Sequence, residues 1–419
     1  MSQRFLSPED WGNPFLSKER IFFRGMVEIL HLALLGILVG GVVSLFVSLI
    51  GLGEARVGVF PRSRLFLLPG ALLLCALLEV RFFPGVAGHG MESLRRIYSE
   101  GENFPPCAWL VKGFRTLVTL VSGGSGGIVG PSAYVGSALA AVSSQEREPL
   151  GEKLFYGAAA GVAVILGTPL GATLFAMESL EKPLCYSFSP ERFFRGLWCS
   201  FWAWKYAFFW LPWAPHPHLA PFSAIPEGTP LFFLLCGGGG LFFGGIAICH
   251  VLLLRSARRG MRLIWKNPFL RACAGALLIL LIDFFSGGTI CGTGQEHLSL
   301  YFHGQGEDVL LQGFWKSLAT GITVGAGGSA GMVGPTFFVG AMGGSFFAHL
   351  FALPSDLFAL LGAAAVLGGA ANTPVAAVVF LVEICGIAIL PSGIILCGIS
   401  YLVGRRWHLF EREDFRESP

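Results

Sequence analysis

Gly123-Gly124-Ser125-Gly126-Gly127-Ile128-Val129-Gly130-Pro131 returns 204 residues later as Gly327-Gly328-Ser329-Ala330-Gly331-Met332-Val333-Gly334-Pro335, with seven of nine positions identical. The register extends in both directions. Upstream, Gly88-His89-Gly90-Met91-Glu92-Ser93-Leu94 pairs with Gly292-Thr293-Gly294-Gln295-Glu296-His297-Leu298 at the same shift. Downstream, Val135-Gly136 pairs with Val339-Gly340. After one residue of slip, Gly157-Ala158-Ala159-Ala160, Thr168-Pro169 and Glu178 meet Gly362-Ala363-Ala364-Ala365, Thr373-Pro374 and Glu383 at a shift of 205. Compositional bias scatters Gly and Ala at random. It does not hold one register across about 90 residues, through prolines and glutamates. The chain is therefore built from two structural repeats.

Composition says where those repeats live. Of 419 residues, 53% are apolar and 13% charged, and the mean hydropathy is +0.66. A soluble domain runs at ~45–50% apolar and ~25% charged. Glycine is about twice its usual ~7% share, at 58 residues, without a collagen period. Such a chain cannot cover a water-facing surface, so it reads as a polytopic membrane protein. Soluble enzymes, secreted disulfide scaffolds and nucleic-acid binders are excluded. Arg255, Arg258, Arg259, Arg262, Lys266 and Arg271 lie together with no acid between Arg255 and Arg271, a loop that the positive-inside rule places in the cytoplasm. Lys18, Arg20 and Arg24 before the first span, and Arg405 and Arg406 after the last, put both termini on that side. The polar first 20 residues argue against a cleaved signal peptide, and the ten cysteines, with no CxxC pair, read as small hydrophobes.

A simple spanning helix needs ~20 apolar residues. Met26–Leu52 and Phe232–Leu254 meet that; Leu65–Leu78, Phe193–Leu211, Ala272–Phe284 and Ile387–Val403 are weaker candidates. Pro131–Val142 and Pro335–Leu350 are too short to cross alone, and each follows a glycine-rich turn ending in Gly-Pro. Broken, partly crossing helices fit this better than a regular bundle, and such breaks survive in membranes only where protein or a water-filled cavity surrounds them. The expected organisation is a segment 1–25, one transmembrane domain 26–404 of two repeats (26–215 and 230–404), and a short tail 405–419. Trp198, Trp202, Trp204, Trp210 and Trp213 read as an interfacial belt.

Paired broken helices in duplicated halves point to a transport site near the midplane rather than to an enzyme. Pro131 and Pro335 suit a first helical turn, where no N–H partner is missed. A helix start leaves four N–H groups unpaired and carries roughly half a positive charge. Two such starts converging would bind an anion loosely enough for it to leave again. The same glycines also suit close helix packing, and the pattern alone leaves both readings open.

The ordered set of motifs resembles the CLC family of chloride channels and chloride/proton antiporters. Gly88-His89-Gly90-Met91 sits where that family has Gly-Ser-Gly-Ile-Pro. Gly127-Ile128-Val129-Gly130-Pro131 aligns with Gly-Lys/Arg-Glu-Gly-Pro, and Gly331-Met332-Val333-Gly334-Pro335 with Gly-x-Phe-x-Pro. The resemblance covers roughly residues 30 to 410. It implies an all-α fold of two inverted-topology repeats of tilted and broken helices. It also implies a homodimer with one anion pathway per subunit, membrane lipids as surroundings, chloride as bound ligand, no other cofactor, no metal and no nucleic-acid partner. The residues from Trp407 to Pro419 leave no room in this sequence for the cytoplasmic nucleotide-binding pair of some relatives. The implied pore residues are Gly88, His89, Gly90, Gly127, Ile128, Val129, Gly130, Pro131, Gly331, Met332, Val333, Gly334 and, where relatives place a tyrosine, Phe410.

Three departures shape the functional expectation. The position of the antiporters' gating glutamate is Val129, which can neither mimic an anion nor carry a proton. Their internal proton-handling glutamate falls at Ser179; the neighbouring Glu178 is echoed by Glu383, which favours a paired structural role, and Glu181 is a displaced alternative. His89 replaces an anion-coordinating serine. Its ring could donate to the anion with some pH sensitivity, or it could bond only to backbone. Glu92 and Glu296 read as helix-start acids. The expected activity is passive conduction of chloride and similar monovalent anions in a multi-pass plasma or inner membrane. Alternatives are a chloride/proton or fluoride/proton antiporter of this fold, a metalloenzyme using His89, Glu92, Glu296 and His297, and a non-transporting scaffold.

Overall fold

A computed structural model of the chain describes residues 14–83, 89–101, 104, 107–143, 149–180, 189–210, 230–304 and 310–410. Among these, the first half comprises α1 (Pro14–Val59), α2 (Arg64–Arg81), α3 (Met91–Glu100), α4 (Ala108–Val121), α5 (Val129–Ser143), α6 (Leu150–Leu166), α7 (Pro169–Leu180) and α8 (Pro190–Trp210). The second half repeats the series as α9 (Pro230–Ile264), α10 (Pro268–Phe285), α11 (Gln295–Phe302), α12 (Leu310–Gly325), α13 (Val333–Leu350), α14 (Ser355–Ala371), α15 (Pro374–Cys385) and α16 (Leu390–Gly404). The fold is all-α and of the expected class: eight helices, then the same eight again.

Among the described residues, five helical segments are long and apolar enough to cross a membrane: Gly25–Val59, Pro61–Arg81, Pro230–Ile264, Pro268–Phe285 and Ile387–Gly404. The remaining candidate, Phe193–Leu211, is helical to Trp210 within α8 but falls short, since Arg195 and Lys205 dilute its apolar run; Leu211 lies outside the described residues. The Arg255–Arg271 segment is not a loop. The α9 helix runs on through Arg255, Arg258, Arg259 and Arg262, and only residues 265–267 separate it from α10, whose first turn Asn267 caps by accepting from Phe269 and Leu270 N–H. Likewise α1 begins at Pro14, inside the segment expected to precede the membrane domain.

The middle of the protein is held by short helices buried on every side. In α5, α6, α13 and α14 nearly every residue is buried, so these helices show no polar face, as befits elements enclosed by other helices. Small residues make the enclosure possible. A Cβ on Gly136 of α5 would collide with the Gly157 carbonyl of α6, and one on Gly340 of α13 would sit 2.6 Å from the Gly362 carbonyl of α14. Here the packing reading of the glycines holds.

Contacts between the halves are reciprocal, the signature of a two-fold axis. Gly127 N–H donates to the Gly331 carbonyl and Gly331 N–H to the Gly127 carbonyl, both at 2.6 Å. Thr116 meets Ser329 (2.8 Å) while Ser125 meets Thr320 (3.1 Å), and Ser125 N–H donates to Thr323 as Ser329 N–H donates to Thr119. At the rim, Glu178 of α7 accepts from Val375 and Ala376 N–H at the start of α15, while Glu383 of α15 accepts from Leu170 and Gly171 N–H at the start of α7. Each carboxylate satisfies two donors that a helix start leaves open, so the glutamates have the paired structural role their repetition suggests.

Candidate functional site

The reciprocal Gly127–Gly331 pair brings the starts of α5 and α13 together at the local two-fold. Because those two glycines bond each other, their N–H groups face no pore, and their contribution is to join the halves. The next three residues of each copy differ. The N–H groups of Ile128, Val129 and Gly130, and of Met332, Val333 and Gly334, donate to no acceptor among the described residues. Each helix carries its partial positive charge at this end. Five of these residues are buried and Gly334 is half-buried, its would-be Cβ lying 2.9 Å from Gly127 Cα.

The start of α3 joins them from one side. Gly90 adopts φ 91°, where a side chain is strained, and a Cβ there would lie 2.5 Å from the Gly130 carbonyl oxygen. His89 immediately precedes it and is 1% exposed. Its Nε2 lies 2.9 Å from Glu92 Oε2, which in turn takes a 2.7 Å bond from Arg258 of α9. Its Nδ1 has no partner among the described residues. Glu92 thus sits in a first helical turn, as expected of a helix-start acid, yet its carboxylate is engaged by His89 and Arg258 rather than by backbone N–H. Gly88 lies outside the described residues, as does Glu181.

Phe410 completes the cluster. Its ring stacks on His89 with centroids 5.9 Å apart and an interplanar angle of 29°, and it is 2% exposed. The chain after α16 is therefore not a free tail. Leu409 N–H bonds the Ala370 carbonyl, Asn372 bonds the Arg405 carbonyl, Phe410 N–H bonds His408 Nδ1 at 3.0 Å, and Arg255 bonds the His408 carbonyl. Burial, reinforced by Arg95 and Arg255, pushes the His408 imidazole down to about 3, so the ring stays neutral and able to accept a hydrogen bond. This strap carries Phe410 back against α3.

The arrangement gathers the starts of α3, α5 and α13, with one imidazole nitrogen and an aromatic ring on the α3 side. Val129 is 3% exposed at the α5 start. Ser179 is fully buried and its hydroxyl has no partner among the described residues. The metalloenzyme reading required the two repeated loops to converge on one ion. Among the described residues no three His, Cys, Asp or Glu side chains do so, and Thr293 of the second loop is instead bound through both N–H and hydroxyl to Glu54, at 2.7 Å each.

Sequence reading missed a second layer. Lys112 and Lys316 are fully buried and sit 5.6 Å from the ring centroids of Tyr134 and Phe338 respectively. Both members of each pair differ by the same 204 residues. Lys316 donates to the Ile290 and Gly292 carbonyls at 2.9 Å, turning the loop's carbonyls toward itself. Extending the repeat register upstream of Gly123 would have found them.

The sequence profile of the family described as voltage gated chloride channel matches residues 15–146 and 70–405. A chloride/fluoride channel protein of Pseudomonas syringae pv. tomato is 30% identical over 303 residues, 69% of this chain; the match spans 64% of that protein's length, just under two thirds. The H(+)/Cl(-) exchange transporter ClcA of Vibrio cholerae is 25% identical over 418 residues, 90% of this chain and 85% of the transporter. Among solved structures, a CLC-type fluoride/proton antiporter matches with a TM-score of 0.84 at 25% identity, over 93% of this chain and 98% of that one. A slow cyanobacterial Cl-/H+ antiporter matches in fold, with a TM-score of 0.76 at 16% identity over 90% and 94%.

Proposed function

Since the chain belongs to the voltage gated chloride channel family, the CLC family, we propose that it passes chloride and similar monovalent anions down their electrochemical gradient without moving protons. One observation carries this: where α5, α13 and α3 meet, six N–H groups at the starts of α5 and α13 stand without acceptors among the described residues, and the position where the family's coupled exchangers carry a carboxylate is Val129. An anion there receives backbone hydrogen bonds and two partial helix charges, with His89 Nδ1 as an additional donor when that nitrogen carries hydrogen. No full cation needs to be released for the ion to leave, and moderate binding of this kind favours throughput. Val129 offers no charge to compete with the anion and no proton to exchange for it. Ser179 offers none either, and Glu178 is already engaged by Val375 and Ala376.

Phe410 and His89 form the inner constriction in this reading. A phenylalanine cannot donate to the passing ion, so the ring acts as a steric and apolar barrier alone. The assembly is a homodimer with one pathway per subunit, lying in a plasma or inner membrane with both termini cytoplasmic.

A second reading is fluoride passage. It is supported by the two comparisons at 25% identity or more that name fluoride, a chloride/fluoride channel protein and a CLC-type fluoride/proton antiporter. The experiment is one vesicle assay with chloride, fluoride and proton electrodes read together. Anion efflux without stoichiometric proton movement is the expected result, and the faster of the two anions decides between readings. Chloride-driven uphill proton transport would overturn uncoupled conduction.

A further inference from the structure

His250 is fully enclosed in α9 and takes no part in the cluster described above. Its Nδ1 lies 2.7 Å from Ser317 Oγ of α12 and its Nε2 3.1 Å from Thr336 Oγ1 of α13. Both hydroxyls already have a use. Ser317 donates to the Gly313 carbonyl at 2.7 Å, and Thr336 donates to the Met332 carbonyl at 2.9 Å. A hydroxyl has a single hydrogen. With those bonds in place, both oxygens can only accept from the ring, and the ring must carry hydrogen on both nitrogens. A neutral ring has one N–H and one lone pair, so it requires Ser317 or Thr336 to leave its own helix carbonyl and donate inward.

In the neutral tautomer with Nε2 bare, Thr336 is the hydroxyl that turns inward, and the protonation state of His250 is then written into the first turn of α13. Thr336 bonds the carbonyl of Met332, and the N–H groups of Met332, Val333 and Gly334 are half of the anion-facing set. Met332 and Thr336 are one helical turn apart, roughly 5–6 Å along the axis. No charged side chain faces the ring from the helices packed on it. On α12, Lys316 bonds the Ile290 and Gly292 carbonyls; on α13, His349 lies at the far end; on α14, Asp356 lies in the first turn; α16 carries only Cys397 and Tyr401 as titratable groups; on α10, Arg271 lies in the first turn and Asp283 pairs with Arg64; and on α9 itself Arg258 is bound to Glu92, Arg255 to the His408 carbonyl, and Arg259 and Arg262 lie more than two turns further along. A cation on His250 would therefore have no resident counter-charge. The start of α13, joined to the ring through Thr336 and the Met332 carbonyl, is a place for one.

We propose that His250 is a proton-binding site thermodynamically linked to anion occupancy at the start of α13. An anion there favours the doubly protonated ring, and by reciprocity the protonated ring favours the anion. Acidification through the titration of His250 then raises occupancy without any carboxylate in the pathway. Protons modulate passage here; they are not exchanged for the anion. The linkage rests on the anion reading given under Proposed function.

The test is the imidazole nitrogen spectrum of protein labelled in histidine and held in lipid nanodiscs, titrated from acid to neutral pH in chloride and again in gluconate. His250→Gln, which keeps a hydrogen-bonding side chain and cannot titrate, assigns the signal. The expected result is a His250 midpoint higher in chloride by about half a pH unit, equivalent to roughly threefold tighter anion binding to the protonated form. A ring that stays neutral throughout, or a midpoint identical in the two anions, overturns the proposal. Thr336→Val keeps the ring and cuts the route to Met332. There the midpoint should become anion-independent, and retained dependence would refute the route through α13. Vesicle flux separates the two levels of inference. His250→Gln should flatten the acid limb of the anion-flux profile while His303→Gln, at the exposed end of α11, leaves it. A wild-type protein that passes neither chloride nor fluoride overturns the anion reading and takes this linkage with it.

Discussion

Replacing Gly127 with alanine tests whether the two helix starts must touch. A Cβ at this position would lie 2.7 Å from Gly334 N, 2.9 Å from Gly334 Cα and 3.1 Å from Pro335 Cδ, where ordinary contact begins at 3.4 Å. The obstacle is backbone, with no rotamer to move aside. Gly334 has to recede by about 0.7 Å, the difference between 3.4 and 2.7 Å. That displacement strains both 2.6 Å bonds to Gly331, each contributing ~0.5–1.5 kcal/mol net. Overpacking of a filled interior adds ~1–3 kcal/mol. A total of about 2–6 kcal/mol follows, concentrated at the N–H groups that face the anion. If as little as ~1.4 kcal/mol of it falls on ion binding, occupancy drops tenfold. The assay is chloride efflux from vesicles at fixed protein incorporation, with thermal unfolding in detergent alongside. Gly245→Ala is the control, because nothing lies within 4 Å of its Cβ and it sits inside helix α9. Gly127→Ala is expected to lose at least tenfold in flux and to melt several degrees lower, while the control matches wild type. Equal flux and equal melting in the two variants would refute the claim that the Gly127–Gly331 pair sets the site.

Other expectations concern the pathway and its frame. Val129→Glu should slow chloride flux and make it fall with rising pH, as an ionised carboxylate competes for the N–H groups; unchanged flux would remove Val129 from the pathway. Phe410→Ala should accelerate flux by removing the ring stacked on His89, and wild-type rates would show that the constriction lies elsewhere. Glu178→Gln and Glu383→Gln should lower the unfolding midpoint by similar amounts, since each carboxylate holds two N–H groups of the opposite half and loses ~1–2 kcal/mol of charge-assisted bonding. A large effect from one and none from the other would break the equivalence of the halves.

The doubled glycine motif was enough to read two repeats, broken central helices and two helix starts that could converge, which the Gly127–Gly331 pair brings together. It could not say which N–H groups remain open. Gly127 and Gly130 look alike in sequence, and only the facing turn of the other half distinguishes a bonded donor from an available one. The Arg255–Arg271 run looked like a loop because its charges break the apolar pattern, yet α9 continues through it, since Arg258 finds Glu92, Arg255 finds the His408 carbonyl and Arg262 lies in the last turn. Phe410 lies beyond the last span, where no periodicity constrains the chain, and its return to His89 depends on hydrogen bonds from α9 and α14. His250 gave no signal at all in the sequence, because its meaning lies in where two hydroxyls already point.

The swapped carboxylates set a timetable for biosynthesis. The open N–H groups at the start of α7 are made when the ribosome passes Gly171, but their acceptor, Glu383, is 212 residues further along the chain. At ~5–20 residues per second that is a wait of roughly 10–40 s. Through that interval the nascent first half must keep polar backbone away from lipid, where each unsatisfied group costs several kcal/mol. Truncated products that stop before α15 are therefore expected to be recognised as unassembled and degraded, and the two halves to be inseparable as expression modules even though they share one architecture.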